Sequence, residues 1–544
     1  MDTLNNYEVV NKISSYAVKN VITELRPIFI QYHDNYHKNL HALTPKLLNE
    51  LIIECDVMLS LLNGIDLITD DKAGTLIVVY RIIMKQLEII NKMVNSLSLI
   101  PENETSLQYL NKKVKAKSFQ FQIPYEINIL RSLNDILKNL IYIETNKDTL
   151  TTEDLFKIVE ETYLYPFWYN FTFELSTFRD LLDLYKSTFI KSHNSTTILK
   201  PLGMFGGAVH NIYNRAYNGS HISSNKIFTS MKENESVELL QYMWNQGDKG
   251  IGYGAISFIL PKIHTVEWIK INKIECLILS NNKLPFDLSK NLDSLSINKN
   301  INLDINVNIV LHFHGGGFIS GSPHTHESYL RKWAIDTNTV IFSVNYSKSP
   351  EAKYPTALNE CYSVYKLLVE GRLFGFVPNK IILAGDSAGG NLAVAVTIKA
   401  IRDETRIPDG LLLAYPAIDC DKTITLSRYL FSYDFLLSYN LLMLCANSYL
   451  GNDGNPKDEL VSPLYASDDV LKQFPDNIFI HNAGYCPLLD DSVNFIKRLK
   501  QNNKQVRQWI FDLPHGFWCF GHLMSSVGPI IKLGGKQINF MIAD

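Results

Sequence analysis

From about Pro261 to the C-terminus, short β-branched runs alternate with segments of helical periodicity. No other feature constrains the fold as much, because strands joined through helices are free to pair in parallel, whereas strands joined by tight turns pair antiparallel. The candidate strands are 268–279, 307–313, 340–345, 381–384, 411–414, 478–481 and 506–511. They predict an α/β fold with a mostly parallel central sheet. A polar stretch rich in Asn, Lys and Ser, 280–302, reads as an exposed loop between the first two strands. The preceding residues have a different texture. Apolar positions recur three and four apart, as in Leu47, Leu48, Leu51, Ile52 and Cys55, which is the period of packed amphipathic helices. The chain therefore divides into a helical N-terminal domain, 1–255, and an α/β domain, 256–544.

Composition narrows the class of function. Fifty-two basic against fifty-five acidic side chains leave a net charge of −3, so no global field draws in nucleic acid or an anionic membrane. The seven cysteines are scattered, odd in number and never spaced C-x-x-C, which argues against a disulfide framework and against a zinc site. A reducing, cytoplasmic setting is expected, since the first twenty residues lack the basic then apolar pattern of a secretory signal. The most apolar stretch, 75–90, is interrupted by Arg81, Lys85 and Glu88 well short of the roughly 20 residues a membrane span requires. No transmembrane helix is expected. An unusually aromatic segment, 165–189, reads as interior helix or as a surface that meets lipid, with the interior reading favoured.

Two glycine-rich motifs sit at the ends of predicted strands. Gly385-Asp386-Ser387-Ala388-Gly389 runs strand, sharp turn, helix, the context of a nucleophile elbow. The glycines answer a steric demand, because a serine on such a turn leaves no room for side chains two residues away on either side. His314-Gly315-Gly316-Gly317 follows the second strand, 73 positions ahead of Ser387 and in the order an oxyanion loop requires. The backbone N–H groups of Gly316, Gly317 and Ala388 are the expected oxyanion donors. The third motif, Asp512-Leu513-Pro514-His515-Gly516, falls just after the last strand, where a general-base histidine belongs. His324 and His326 form an H-x-H pair with no third ligand in view, so metal chemistry is not expected.

With these motifs in place, the chain resembles the hormone-sensitive lipase family of α/β-hydrolases. HFHGGGF (312–318), NYSKSPEAKYPTALNE (345–360), ILAGDSAGGNLA (382–393), VSPLYAS (461–467), PLLDDSVNFIKRLK (487–500) and DLPHGF (512–517) carry the likeness over roughly the last 250 residues. The family implies a serine-dependent carboxylic ester hydrolase acting on acylglycerols or sterol esters, in lipid catabolism, with neither metal nor organic cofactor. By analogy it also implies attachment to a lipid-droplet surface. The helical first half resembles the family's N-terminal domain in length, helicity and position. About 45 residues separate Pro416 from Ser462, leaving no room for the long regulatory insertion found there in the family's namesake.

The larger departure concerns the third member of the triad. The family pattern is Asp-Pro-Leu-x-Asp, with the first aspartate catalytic, and this chain reads Cys486-Pro487-Leu488-Leu489-Asp490. A neutral thiol does not do for an imidazolium what a carboxylate does. Asp490 is the expected substitute for orienting His515. Asp491 is a second candidate, and Asp512 a poorer one; Asp490 and Asp491 equally suit first-turn carboxylates that stabilise the following helix. The competing reading is a binding protein on a hydrolase frame, which Cys486 motivates and the retention of Ser387 and His515 opposes.

Overall fold

The structure is a computed structural model that describes residues 15–35, 43–68, 74–97, 105–146, 149, 150, 154, 158, 260–286 and 307–543, except 424, 433, 435, 452, 453 and 522–525. It divides into two units, Met1–Phe173 and Glu174–Asp544. The expected boundary at 255, the aromatic stretch 165–189 and most of the loop 280–302 lie outside the described residues.

In the first unit the three-and-four spacing folds as α1 (Ser15–Asn35), α2 (Thr44–Ile68), α3 (Gly74–Asn95) and α4 (Ser106–Asn146). The apolar stretch that fell short of a membrane span is α3, and it supplies Leu76, Val79, Ile83, Leu87 and Ile90 to the interior of this unit. Gln86 is bonded to Glu126 of α4, a polar tie between the two helices. Among the described residues no helix is long and apolar enough to cross a membrane.

The second unit is built on one sheet of eight strands. β1 (Thr265–Ile271), β2 (Ile274–Ser280), β3 (Ile309–Phe313), β4 (Val340–Asn345), β5 (Ile381–Asp386), β6 (Gly410–Ala414), β7 (Ile478–Tyr485) and β8 (Val506–Pro514) lie in the order β1-β2-β4-β3-β5-β6-β7-β8. All pairs from β4 to β8 are parallel. Every residue of β3, β5, β6 and β7 is buried, which is why β3, β5 and β6 carry continuous aliphatic runs and do not alternate with polar residues.

The first predicted strand is corrected, because 268–279 is not one strand but most of a hairpin. Asn272 and Lys273 both take positive φ, 48° and 73°, and β1 turns back antiparallel on β2 across them. Two left-handed central residues make the tight turn whose twist matches a hairpin, and a lysine at the second position hides it where glycine would have announced it.

Helices cover the sheet in the order α5 (Pro323–Thr337), α6 (Thr356–Val369), α7 (Ala388–Arg402), α8 (Leu426–Leu430), α9 (Tyr439–Leu450), α10 (Asp468–Leu471), α11 (Leu489–Gln501) and α12 (Gly528–Ala543). Parallel strands bring all their C-terminal ends to one edge, where α/β proteins place their ligands. Four motif residues follow directly from strand ends at that edge: His314 after β3, Ser387 after β5, Cys486 after β7 and His515 after β8.

Close packing at the crossing of β3 and α7 sets how near two of these motifs lie. A Cβ on Gly389 would sit 1.9 Å from the Phe313 carbonyl oxygen and 2.7 Å from that of His314. Overpacking against backbone costs about 1–3 kcal/mol or more, so Gly389→Ala is expected to lower the thermal unfolding midpoint by several degrees. Gly375→Ala, with φ +76° and nothing within 4 Å, carries only the left-handed penalty of about 1 kcal/mol and should cost less. Equal midpoints for the two variants would contradict the packing account.

Candidate active site

Ser387 occupies a backbone conformation that few L-residues adopt, φ 55° and ψ −120°. Its N–H donates to the Ala414 carbonyl at the end of β6 (2.9 Å), and α7 begins at the next residue. The strain is held by contacts on both sides: a Cβ on Gly385 would meet the Gly389 carbonyl at 2.4 Å, and one on Gly390 would meet Pro416 at 2.8 Å. The turn thus lifts the serine hydroxyl off the strand edge.

His515 reaches that hydroxyl. Its Nε2 lies 2.9 Å from Ser387 Oγ, although 128 positions separate the two residues. Its Nδ1 lies 3.2 Å from Cys486 Sγ, which also accepts the Leu488 N–H at 3.4 Å. Burial pushes the imidazole down to about 4, with the Asp386 carboxylate opposing. The ring is therefore neutral near pH 7, the state a general base needs. Burial also drives the Cys486 thiol well above its ordinary range, and the nearby Asp434 carboxylate adds to this. Cys486 is thus a neutral thiol beside a neutral imidazole.

Asp434 is the buried carboxylate that holds the histidine loop. Its Oδ2 accepts the His515 backbone N–H at 3.0 Å, and its Oδ1 accepts those of Leu436 and Leu437, each at 2.8 Å. Burial raises its pKa to about 6, with the three N–H groups working against that rise. An aspartate two and three residues ahead of the amides it accepts has the form of a local turn, and nothing in the sequence ties it to His515, 81 positions away.

The glycine-rich loop is pinned to the elbow from below. Gly315 N–H points at both Asp386 Oδ1 (3.0 Å) and His326 Nε2 (3.1 Å), and Tyr329 OH donates to the same Asp386 oxygen (3.0 Å). Burial pushes the Asp386 carboxyl up, but His326, His312 and the Tyr329 hydroxyl bring it down to about 2. Gly316 and Gly317 take φ +121° and +62°, and a Cβ at Gly317 would strike Cys445 of α9 at 2.3 Å. Among the described residues, no protein acceptor takes the N–H of Gly316, Gly317 or Ala388. His326, Asp386 and Cys519 bring ligand atoms within 4.8 Å of one another, and His326 is paired there with Asp386 at 3.3 Å. His324 turns instead to Glu327.

The expected acid is corrected. Asp490 Oδ2 accepts the Ser427 backbone N–H at 2.8 Å, and Asp490 N–H donates to Ser427 Oγ at 3.2 Å, so the carboxylate is spent on joining α11 to α8. Asp491 pairs with buried Arg428 at 2.9 Å. Asp512 stays exposed on β8. The position beside Nδ1 belongs to Cys486.

Residues 310–519 match a family model described as the alpha/beta hydrolase fold. Hormone-sensitive lipase of Mus musculus is 41% identical over 146 residues, 27% of this chain and 19% of that one. An esterase of Acinetobacter venetianus is 33% identical over 210 residues, 39% of this chain and 66% of the esterase. The carboxylic ester hydrolase LipN of Mycobacterium tuberculosis is 31% identical over 218 residues, 38% and 57% of the two chains. The chain thus spans about a fifth of the length of the mouse lipase. With a mostly parallel sheet and a strained serine at the end of its fifth strand, residues 310–519 match the alpha/beta hydrolase fold, and the C-terminal region of the chain is similar to hormone-sensitive lipase.

Proposed function

We propose that this chain is a serine-dependent carboxylic ester hydrolase whose histidine is backed by a neutral thiol. The observation that carries the reading is the 2.9 Å contact between Ser387 Oγ, on its strained elbow, and His515 Nε2. Ser387 attacks the ester carbonyl while Nε2 takes its proton, and the N–H groups of Gly316, Gly317 and Ala388 bind the oxyanion. The imidazolium then protonates the leaving alcohol, and water repeats the sequence on the acyl-serine. Relatives named lipase and esterase support a carboxylic ester as the substrate class, and the family resemblance suggests acylglycerols or sterol esters within it. Seven free cysteines support a reducing, cytoplasmic location, and the likeness to lipases supports work at lipid droplets.

Cys486 sets the rate. A carboxylate only accepts, so it fixes the proton on Nδ1 and leaves Nε2 free to receive the serine proton. A thiol both donates and accepts weakly, so it leaves the tautomer unfixed, and being uncharged it does little for the imidazolium. Loss of the triad aspartate in a serine protease lowers turnover about 10⁴-fold, or some 5 kcal/mol of barrier. Asp434 and Asp386 recover part of this: the first fixes the backbone of His515, and the second is a buried anion acting on its ring. The same cysteine favours a second reading, a binding protein on the hydrolase frame, in which Ser387 and His515 are retained without turnover.

Purified protein is expected to hydrolyse p-nitrophenyl butyrate slowly, and Ser387→Ala to abolish it; equal rates would overturn the reading. Cys486→Asp is expected to raise turnover by orders of magnitude, up to about 10⁴. No gain would mean that the thiol is not what limits the rate. The two proteins should also differ in pH dependence. The base works only when neutral, so a histidine held down to about 4 keeps the wild type active well below the ordinary histidine range. In Cys486→Asp a carboxylate beside Nδ1 favours the imidazolium, and the acid limb of kcat/KM should move upward toward about 6.5. Superimposable acid limbs would contradict the assignment.

A further inference from the structure

Helix α4 carries two apolar faces, and only one of them is buried. Ala116, Phe119 and Ile123 point into the first unit. Leu107, Leu110, Val114 and Phe121 are 70%, 57%, 67% and 76% exposed. At 100° per residue these four fall within an arc of roughly 60° on the side opposite the buried set, a stripe about 20 Å long. Single exposed apolar side chains need no explanation, but an aligned row of four does.

The charges beside the stripe point to what covers it. Lys117 and Lys113 lie roughly 20° and 60° beyond one margin and Lys115 roughly 80° beyond the other, all exposed, while the sequence from Ser106 to Tyr125 contains no aspartate or glutamate. Lysines flanking an apolar stripe lay their methylene stems along it and keep their ammonium groups at the level of anionic headgroups. A second copy of the helix fits less well. Lys117 interrupts the three-four spacing between Val114 and Phe121, and a symmetric seam would bring like charges together without a carboxylate to answer them.

We propose that the Leu107, Leu110, Val114 and Phe121 stripe of α4, with Lys113, Lys115 and Lys117, is an interfacial surface that seats the protein on a lipid layer bearing anionic headgroups. This surface stands independently of the chemistry assigned to Ser387. It would bring the chain to the phase in which water-insoluble esters dissolve.

The test is co-flotation of the full-length protein with phosphatidylcholine vesicles prepared with and without phosphatidylserine. Wild type should float with the phosphatidylserine vesicles and less with phosphatidylcholine alone, and added salt should release it. Val114→Asp combined with Phe121→Asp should lose binding at least about tenfold. Lys113→Glu combined with Lys117→Glu, which leaves the stripe intact, should lose about fivefold or more per lysine on the phosphatidylserine vesicles. All these positions are exposed, so hydrolysis of a soluble ester and circular dichroism should be unchanged. Ser387→Ala should float like wild type, which separates failure of the surface from failure of the catalytic reading. Wild type that floats with neither vesicle, or variants that float as well as wild type, would overturn the proposal. So would a wild-type dimer that the stripe variant converts to monomer, since that would make a second copy the occupant.

Discussion

The site depends on how one imidazole is held. His515 stands between a serine hydroxyl at 2.9 Å and a thiol at 3.2 Å, and both distances are set by where strands stop. Parallel pairing puts the ends of β3, β5, β7 and β8 on one edge, so four residues remote in sequence become neighbours without any long loop having to find its partner. The same pairing buries the histidine, and burial leaves its ring neutral at ordinary pH.

What the thiol does not supply is divided among other groups. Asp434 fixes the histidine through its backbone, and Asp386, ion-paired with His326 beneath the glycine loop, places a permanent negative charge within reach of the ring. Neither fixes the proton on Nδ1. In the proposed reading the arrangement has the geometry of a hydrolase centre and lacks one carboxylate. The same deficit motivates both proposed readings, a slow hydrolase and a binding protein without turnover.

The parts of this that were legible in the sequence are those set by local sterics. Gly385 and Gly389 flank Ser387 because no Cβ fits there, and the aliphatic runs of β3, β5 and β6 are continuous because both faces are covered. What was not legible depends on direction and not on position. Asp490 lies four residues beyond Cys486, but the first turn of α11 aims it at the Ser427 amide, and Asp491 is taken by Arg428. Asp434 could not be found from its neighbours, since its bond to His515 crosses 81 positions. The hairpin at Asn272 and Lys273 was hidden because lysine rarely takes positive φ.

The central claim, that Ser387 is a nucleophile served by His515 and slowed by a thiol, is read most directly by the rate at which a fluorophosphonate probe labels the protein. The probe reports proton transfer from the serine in a single step and does not depend on the choice of ester. The account predicts a label mapped to Ser387, formed slowly in wild type, much faster in Cys486→Asp and absent in His515→Ala. A label on another residue, or a rate at Ser387 indifferent to His515, would contradict it.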